Sequence, residues 1–296
     1  MNSVNANAII KAVLLDLSGN VHVGSQIIPG ALEAVQKLVD HNIAVKFVTN
    51  TTKKSRKETL TELWDMGFSK DLVHSENVVT TTQASRQLIQ KQKLTPYCFI
   101  QKSLLEDLEM QSLPEMEDCN SVLVGLAPEA FEYNRLNTAF RVIMREKERR
   151  RNENAAESKS QPPLVIALHR GKYLRDVDGG LSLGPGGFVA CLQEAAGLSD
   201  SDIAVMGKPS RDFFHAAIPE GILPVETAMV GDDMRQDVLG AKQAGLGLGI
   251  LVKTGKYQKG DELVRDEHGH SPDATVDSIA EAVDLILDRN KGKDRN

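Results

Sequence analysis

Cysteine and long apolar runs are scarce in this chain of 296 residues. The three cysteines, Cys98, Cys119 and Cys191, are widely spaced and odd in number, which argues against a disulfide framework and predicts reduced thiols. No run approaches the roughly 18 apolar residues that a membrane span needs. The first residues, MNSVNANAIIK, lack the basic and apolar regions of a secretory signal. We therefore expect a cytoplasmic protein.

Basic charge is not in excess either, because the formal net charge is −6. This balance disfavours nucleic acid and anionic membranes as partners. The hydrophobic fraction of 41% and the charged fraction of 26% are ordinary for a globular protein. The length predicts two domains, or one large core with a sizeable insertion.

Apolar runs alternate with amphipathic segments near both ends of the chain. IIKAVLLD (9–16) and IAVKFVTN (43–50) are typical of buried parallel strands, and helical spacing follows each of them. The same alternation returns with strands at 203–207, 226–233 and 247–254 and helices at 234–244 and 277–289. This order predicts right-handed βαβ units and an α/β fold with a doubly wound parallel sheet.

Between these halves lies a segment with strands and helices of its own. Its strand candidates are PYCFIQ (96–101), SVLVGL (121–126) and LVIALH (164–169). We predict a Rossmann-like core formed by residues 1–82 and 184–296, interrupted by an inserted α/β domain over residues 83–183. A flexible polar loop is predicted near 148–163, where aliphatic residues are almost absent.

Four polar clusters follow the predicted core strands or lie close to them. They are Asp16-Leu17-Ser18-Gly19, Thr49-Asn50-Thr51-Thr52, Gly207-Lys208-Pro209-Ser210, and Gly231-Asp232-Asp233 with Asp237. Taken singly, each is explained as well by a helix cap, a turn or an ordinary loop. The carboxyl ends of strands in such sheets, however, meet at one ligand-binding crevice.

Together the clusters make a coherent site. Asp16 and Asp232 would repel each other at one sheet edge unless a divalent cation lies between them, and Mg²⁺ suits oxygen ligands. Thr49, Asn50 and Lys208 supply donors and a positive charge for phosphoryl oxygens. A carboxylate facing such a group can attack phosphorus, which predicts Asp16 as a nucleophile and metal ligand.

In this order, the clusters resemble the four motifs of the haloacid dehalogenase superfamily. The insertion resembles the C2 cap of its p-nitrophenylphosphatase-like branch. The likeness covers nearly the whole chain and is carried by the segments DLSG, FVTNTTK, GLAPE.F.Y..LN.AFR, DG.L.LGPG.FV, GKP and GILVKTGKY. The resemblance implies a phosphatase that uses Mg²⁺ and whose cap selects a small phosphorylated substrate. Related proteins form dimers through the cap, so a homodimer is an open expectation.

The resemblance also implies a role for each site residue. By this resemblance, Asp16 is the nucleophile, and Mg²⁺ is held by Asp16, Asp232 and the main-chain carbonyl of Ser18. The phosphate group is bound by Thr49, Asn50 and Lys208. Asp233 and Asp237 hold the loop of the fourth motif.

One departure bears on activity. Most phosphatases of the superfamily have an aspartic acid two residues after the nucleophile, where this chain has Ser18. Loss of a general acid costs about 10²–10⁴-fold in rate, so we expect a slow or selective phosphatase. Two alternatives stay open: a non-catalytic phosphate-binding or scaffold protein, and a phosphatase of the pyridoxal-phosphate or phosphoglycolate type.

Overall fold

The computed structural model describes residues 8–152, 161–175 and 180–293. The strands are β1 (Ala12–Asp16), β2 (His22–Val23), β3 (Gln26–Ile27), β4 (Ala44–Thr49), β5 (Val78–Thr80), β6 (Pro96–Phe99), β7 (Ser121–Val124), β8 (Val165–Ala167), β9 (Tyr173–Arg175), β10 (Leu181–Leu183), β11 (Ile203–Val205), β12 (Thr227–Gly231), β13 (Leu248–Val252) and β14 (Ala274–Val276). The α-helices are α1 (Ala31–Asp40), α2 (Arg56–Asp65), α3 (Thr81–Gln92), α4 (Leu104–Asp107), α5 (Tyr133–Asn152), α6 (Pro185–Ala196), α7 (Arg211–Ala217), α8 (Gly240–Gln243) and α9 (Ile279–Lys293).

The chain divides into two compact units. Unit 1 comprises Met1–Thr49, Arg56–Val79 and Lys208–Asn296, and unit 2 comprises Asn50–Ser55 and Thr80–Gly207. Among the described residues, no helix is long and apolar enough to cross a membrane.

The sheet of unit 1 has six strands in the order β14-β13-β12-β1-β4-β5. Its central strand, β1, pairs in parallel with β12 on one side and with β4 on the other. Every residue of β1 is buried: Val13 and Leu15 pack into one apolar cluster with α1 and α9, whereas Leu14 packs on the opposite face with α7 and α8. Apolar side chains on both faces explain the continuous run AVLL, and the predicted doubly wound parallel sheet is confirmed.

Unit 2 has its own four-stranded parallel sheet in the order β11-β8-β7-β6. Along β8, Val165 and Ala167 pack into the cluster that includes residues of α5 and α6, and Ile166 packs into a second cluster on the other face. A short antiparallel pair, β9 with β10, is also part of this unit. Unit 2 therefore also has apolar cores on both faces of its sheet.

The second junction between the units differs from the sequence prediction. The sequence places residues 184–296 in the core, but α6 and β11 belong to unit 2, whose boundary falls at Gly207. The reason is strand pairing: Ile203 to Val205 lie in parallel register with Val165 to Ala167.

Two local predictions also need correction. The loop predicted near 148–163 is wrong at its start, because residues up to Asn152 belong to α5, where Glu146 forms ion pairs with Arg149 and Arg150. Residues 153–160 of that predicted loop lie outside the described residues. The helix predicted at 234–244 is a π-helical turn (Met234–Leu239) that continues into α8.

Candidate active site

Three buried acids meet at the carboxyl end of the unit 1 sheet. Asp16 is the last residue of β1, and Asp232 directly follows β12. Since Leu15 lies opposite Val230 in parallel register, both acids emerge at the same sheet edge. One carboxylate oxygen each of Asp16, Asp232 and Asp237 lies within 4.8 Å of the others. All three side chains are buried, which makes their mutual repulsion costly without a cation.

Lys208 supplies one positive charge to this cluster. Its side chain is only 3% exposed, and its ammonium forms ion pairs with Asp16 and with Asp237 Oδ1, the latter at 2.6 Å. It also donates to the Val48 main-chain oxygen at 3.3 Å. Burial lowers the pKa of Lys208, but the two carboxylates raise it more, so the side chain stays protonated above its ordinary range.

The pKa values of Asp232 and Asp237 are both raised above their ordinary value. Burial, followed by the charges of Asp16 and Asp237, raises the pKa of Asp232 to about 8. Burial also raises the pKa of Asp237 to about 7, although Lys208 opposes the rise. A single ammonium therefore does not balance the charge of this cluster.

The cluster fits a hard divalent cation. Asp232 Oδ2 accepts a hydrogen bond from the Lys256 main-chain N–H at 2.6 Å, whereas Asp232 Oδ1 is buried and has no hydrogen-bond partner among the described residues. A buried carboxylate oxygen in that state is expensive, and oxygen ligands of this kind are the ones Mg²⁺ takes.

The loop after β1 fixes the main chain at the proposed nucleophile. Asn20 is completely buried, and its Nδ2 donates to the main-chain oxygens of Asp16 at 3.0 Å and Val230 at 3.2 Å. The side chain of Asn20 therefore links β1 to β12 at the end of their paired segment. Ser18 is exposed in the same loop and forms an isolated β-bridge with His22.

The remaining predicted clamp residues fall in different units. Thr49 ends β4, is buried, and directly follows Val48, which lies opposite Asp16 in the sheet. Asn50 is the first residue of unit 2, where its Oδ1 lies so close to Gly207 that a Cβ there would be 2.5 Å away. Gly207 therefore leaves room for this amide because it has no side chain.

Asp233 and Asp237 organise the turn after β12, but they do so differently. Asp233 Oδ1 caps the π-helical turn by accepting from the main-chain N–H groups of Arg235 (3.1 Å) and Gln236 (3.0 Å). Asp237 Oδ2 accepts from the Asp233 main-chain N–H at 3.1 Å, while its other oxygen faces Lys208. Asp237 therefore touches the charged centre directly, in addition to holding the loop.

The sequence analysis assigned no role to Asn20 or to the loop after β13. In that loop the hydroxyl of Thr254 donates to the Gly19 main-chain oxygen. Lys256 donates to Asp232 through its main-chain N–H and to Asp233 through its side chain. The position of this loop in the sequence could have indicated its role. The segment KTGK follows a buried strand of the same sheet, as the four predicted clusters follow or lie close to theirs.

Sequence comparisons identify the family of this chain. A family model described as haloacid dehalogenase-like hydrolase matches residues 13–113, and a second, described as HAD-hydrolase-like, matches residues 205–282. Haloacid dehalogenase-like hydrolase domain-containing protein 2 of Bos taurus is 39% identical over 94% of this chain and 96% of its own length. The chain belongs to the haloacid dehalogenase-like hydrolase family.

Two further proteins, one compared by sequence and one by structure, align along almost the whole chain. The phospholysine phosphohistidine inorganic pyrophosphate phosphatase of Xenopus laevis is 33% identical over 94% of this chain and 95% of its own. The crystal structure of 4-nitrophenylphosphatase from Thermotoga maritima shares the fold, with a TM-score of 0.77 and 23% identity over 96% of this chain and 100% of that chain. The predicted family, and with it the prediction of a hydrolase, is confirmed.

Proposed function

We propose that this chain is a Mg²⁺-dependent phosphatase that hydrolyses small phosphorylated compounds through an aspartyl-phosphate on Asp16. The observation that carries the proposal is a buried carboxylate at the end of β1 that shares an ammonium, Lys208, with a second buried acid and lies beside Asp232. The family and its members named as phosphatases support the same reaction class.

The residues that would hold Mg²⁺ are Asp16 and Asp232 through their carboxylates and Ser18 through its main-chain carbonyl. Two observations on residues 8–152, 161–175 and 180–293 support this assignment: Asp232 Oδ1 has no hydrogen-bond partner there, and three carboxylates cluster together. When bound, the ion would offset the negative charge of the phosphoryl oxygens as the nucleophile approaches.

The reaction then needs two displacements at phosphorus. A carboxylate oxygen of Asp16 forms a bond to phosphorus while the bond from phosphorus to the leaving group breaks, and the leaving group keeps that electron pair. Water next attacks the same phosphorus, which breaks the bond to Asp16 and releases inorganic phosphate. The Lys208 ammonium, together with Thr49 and Asn50, is proposed to bind the non-bridging oxygens in both steps.

The position of Ser18 sets the substrate class. A serine hydroxyl can donate a hydrogen bond but cannot deliver a proton to the leaving group near neutral pH. Substrates whose leaving group needs no such proton, such as aryl phosphates and pyrophosphate, or whose P–N bond is protonated by solvent, are therefore favoured. We assign the choice among them to unit 2, whose larger segment, Thr80–Gly207, follows the second cluster and ends at the first residue of the third.

The test is a screen of phosphorylated compounds with Mg²⁺ on the wild type, Asp16→Asn and Asp288→Asn. Asp288 is a matched control because its side chain is 75% exposed and pairs only with Lys291 in the described residues. We expect turnover by the wild type and by Asp288→Asn, and none by Asp16→Asn. Equal trace rates in all three proteins would instead favour a phosphate-binding protein without catalysis.

A further inference from the structure

The loop that follows β13, Thr254 to Lys256, contacts two parts of the candidate active site at once. The Thr254 hydroxyl donates to the main-chain oxygen of Gly19, in the loop after the nucleophile. The Lys256 main-chain N–H donates to Asp232 Oδ2 at 2.6 Å. Neither contact has a part in the two displacements proposed above.

The packing around Asp232 is close on the side of this loop. Gly19 and Gly255 both adopt positive φ, at 92° and 52°, and lie against each other and against Asp232. A Cβ on either glycine would collide with Asp232 Oδ2. This oxygen is therefore enclosed by two glycines and one N–H donor, while Oδ1 of the same carboxylate has no hydrogen-bond partner in the part of the chain that the structure describes.

We propose that the Thr254–Lys256 loop is a positioning element that orients Asp232 for its metal ion. By binding Oδ2, the loop fixes the plane of the carboxylate and leaves Oδ1 as the oxygen available to a cation. By binding the Gly19 oxygen through Thr254, it ties that orientation to the loop carrying the nucleophile. The inference rests on the proposed function, because it assumes a Mg²⁺ ion at Asp232.

The Lys256 side chain adds to the same effect. Its ammonium lies 3.3 Å from Asp233 Oδ2 and is 45% exposed. It therefore supplies a second, outer positive charge beside the buried acids. Groups that hold metal ligands in place without touching the ion typically change metal affinity by about 10–100-fold when they are removed.

The variant Thr254→Val distinguishes an effect on the orientation of Asp232 from a general effect on the stability of the fold. The change removes the hydroxyl donor at nearly constant volume, and Thr254→Ser restores the hydroxyl. Thr227→Val is the matched control, because the Thr227 hydroxyl also donates to a main-chain oxygen, that of Leu223 at 3.1 Å, but at the opposite end of β12. Mg²⁺ binding to each full chain is measured by titration calorimetry, with circular dichroism to verify folding.

We expect Thr254→Val to weaken Mg²⁺ binding about 10–100-fold. Thr254→Ser should bind almost as tightly as the wild type, and Thr227→Val should keep wild-type affinity even if it unfolds more readily. Equal Mg²⁺ affinities for Thr254→Val and Thr227→Val would overturn the inference and leave the proposed function intact. A wild type that binds no Mg²⁺ would overturn both.

A second measurement covers the case in which Thr254→Val does not fold. In the wild type, the amide proton of Lys256 should exchange slowly with solvent because it donates to a buried carboxylate. Exchange at the rate of an unprotected loop amide would contradict the proposed orientation of Asp232.

Discussion

Replacing Lys208 by methionine removes an ammonium group that forms ion pairs with two buried carboxylates, Asp16 and Asp237. Methionine fills a similar volume, so the change removes charge without opening a large cavity. The carboxylates then face each other and Asp232 without this counter-charge, in a setting where all three are buried.

Removing one partner of a buried ion pair costs about 3–5 kcal/mol, because the remaining charge is left uncompensated. A protein of this size loses roughly 2–4 °C in Tm for each kcal/mol. The metal-free Lys208→Met variant should therefore melt on the order of 10 °C below the wild type at pH 8. The deficit should shrink at pH 5, because the raised pKa values of Asp232 and Asp237 favour their protonated forms there, which relieves the repulsion.

The assay is calorimetric or chemical unfolding of metal-free protein at both pH values, with Lys253→Met as the control. Lys253 forms an ion pair with Asp277 at 2.8 Å, but both side chains are largely exposed, so water and salt screen the pair and it contributes little to stability. If Lys208→Met is no less stable than Lys253→Met at pH 8, the charge balance inferred for the site is wrong.

Three further predictions concern other parts of the site. Asn20→Leu should lower the free energy of unfolding by about 1–3 kcal/mol, because two main-chain oxygens lose their amide donor; unchanged denaturant midpoints would refute the link between β1 and β12. Ser18→Asp should raise kcat/KM for alkyl phosphates by about 10²-fold or more and change it little for p-nitrophenyl phosphate; an equal gain for both would argue against a missing general acid. In the metal-free protein, the raised pKa of Asp232, about 8 against an ordinary 3.8, means that the folded state binds more protons between these values. Stability should therefore fall as pH rises from about 4 to 8, and added Mg²⁺ should reduce that slope; a metal-free slope of the opposite sign would contradict the assignment.

The local features of the unit 1 sheet could be read from the sequence because they depend on neighbouring residues. The run AVLL before Asp16 contains no polar residue. An uninterrupted apolar run of this kind is typical of a strand that is buried on both faces of its sheet. The rule that strands of such sheets end at a common crevice then brought Asp16, Lys208 and Asp232 to one predicted place, and the structure brings these residues together.

Strand partnership could not be read in the same way. The three residues of β11 are apolar and would fit either sheet, since a short run carries no information about its neighbour. Their pairing with β8 is a long-range contact, so the sequence placed the segment in the core, whereas it belongs to unit 2.

Some contacts in the site could not be predicted from the types of the side chains. The bond from Lys256 to Asp232 uses a main-chain N–H, a donor that every residue except proline has. The contact between Asp237 and Lys208 accompanies a π-helical turn where the apolar spacing indicated an ordinary helix. The sequence analysis assigned no role to Asn20, because its two acceptors are main-chain oxygens.

The most direct test of the account is to trap the phosphorylated carboxylate. The enzyme is mixed with Mg²⁺ and an accepted substrate, quenched during turnover and reduced with borohydride, which converts an acyl phosphate into an alcohol. Mass spectrometry of the peptide that contains Asp16 should then show homoserine at this position, and Asp16→Asn should show none. Turnover at the wild-type rate with no modification at Asp16, or modification at another carboxylate, would contradict the assignment of the nucleophile.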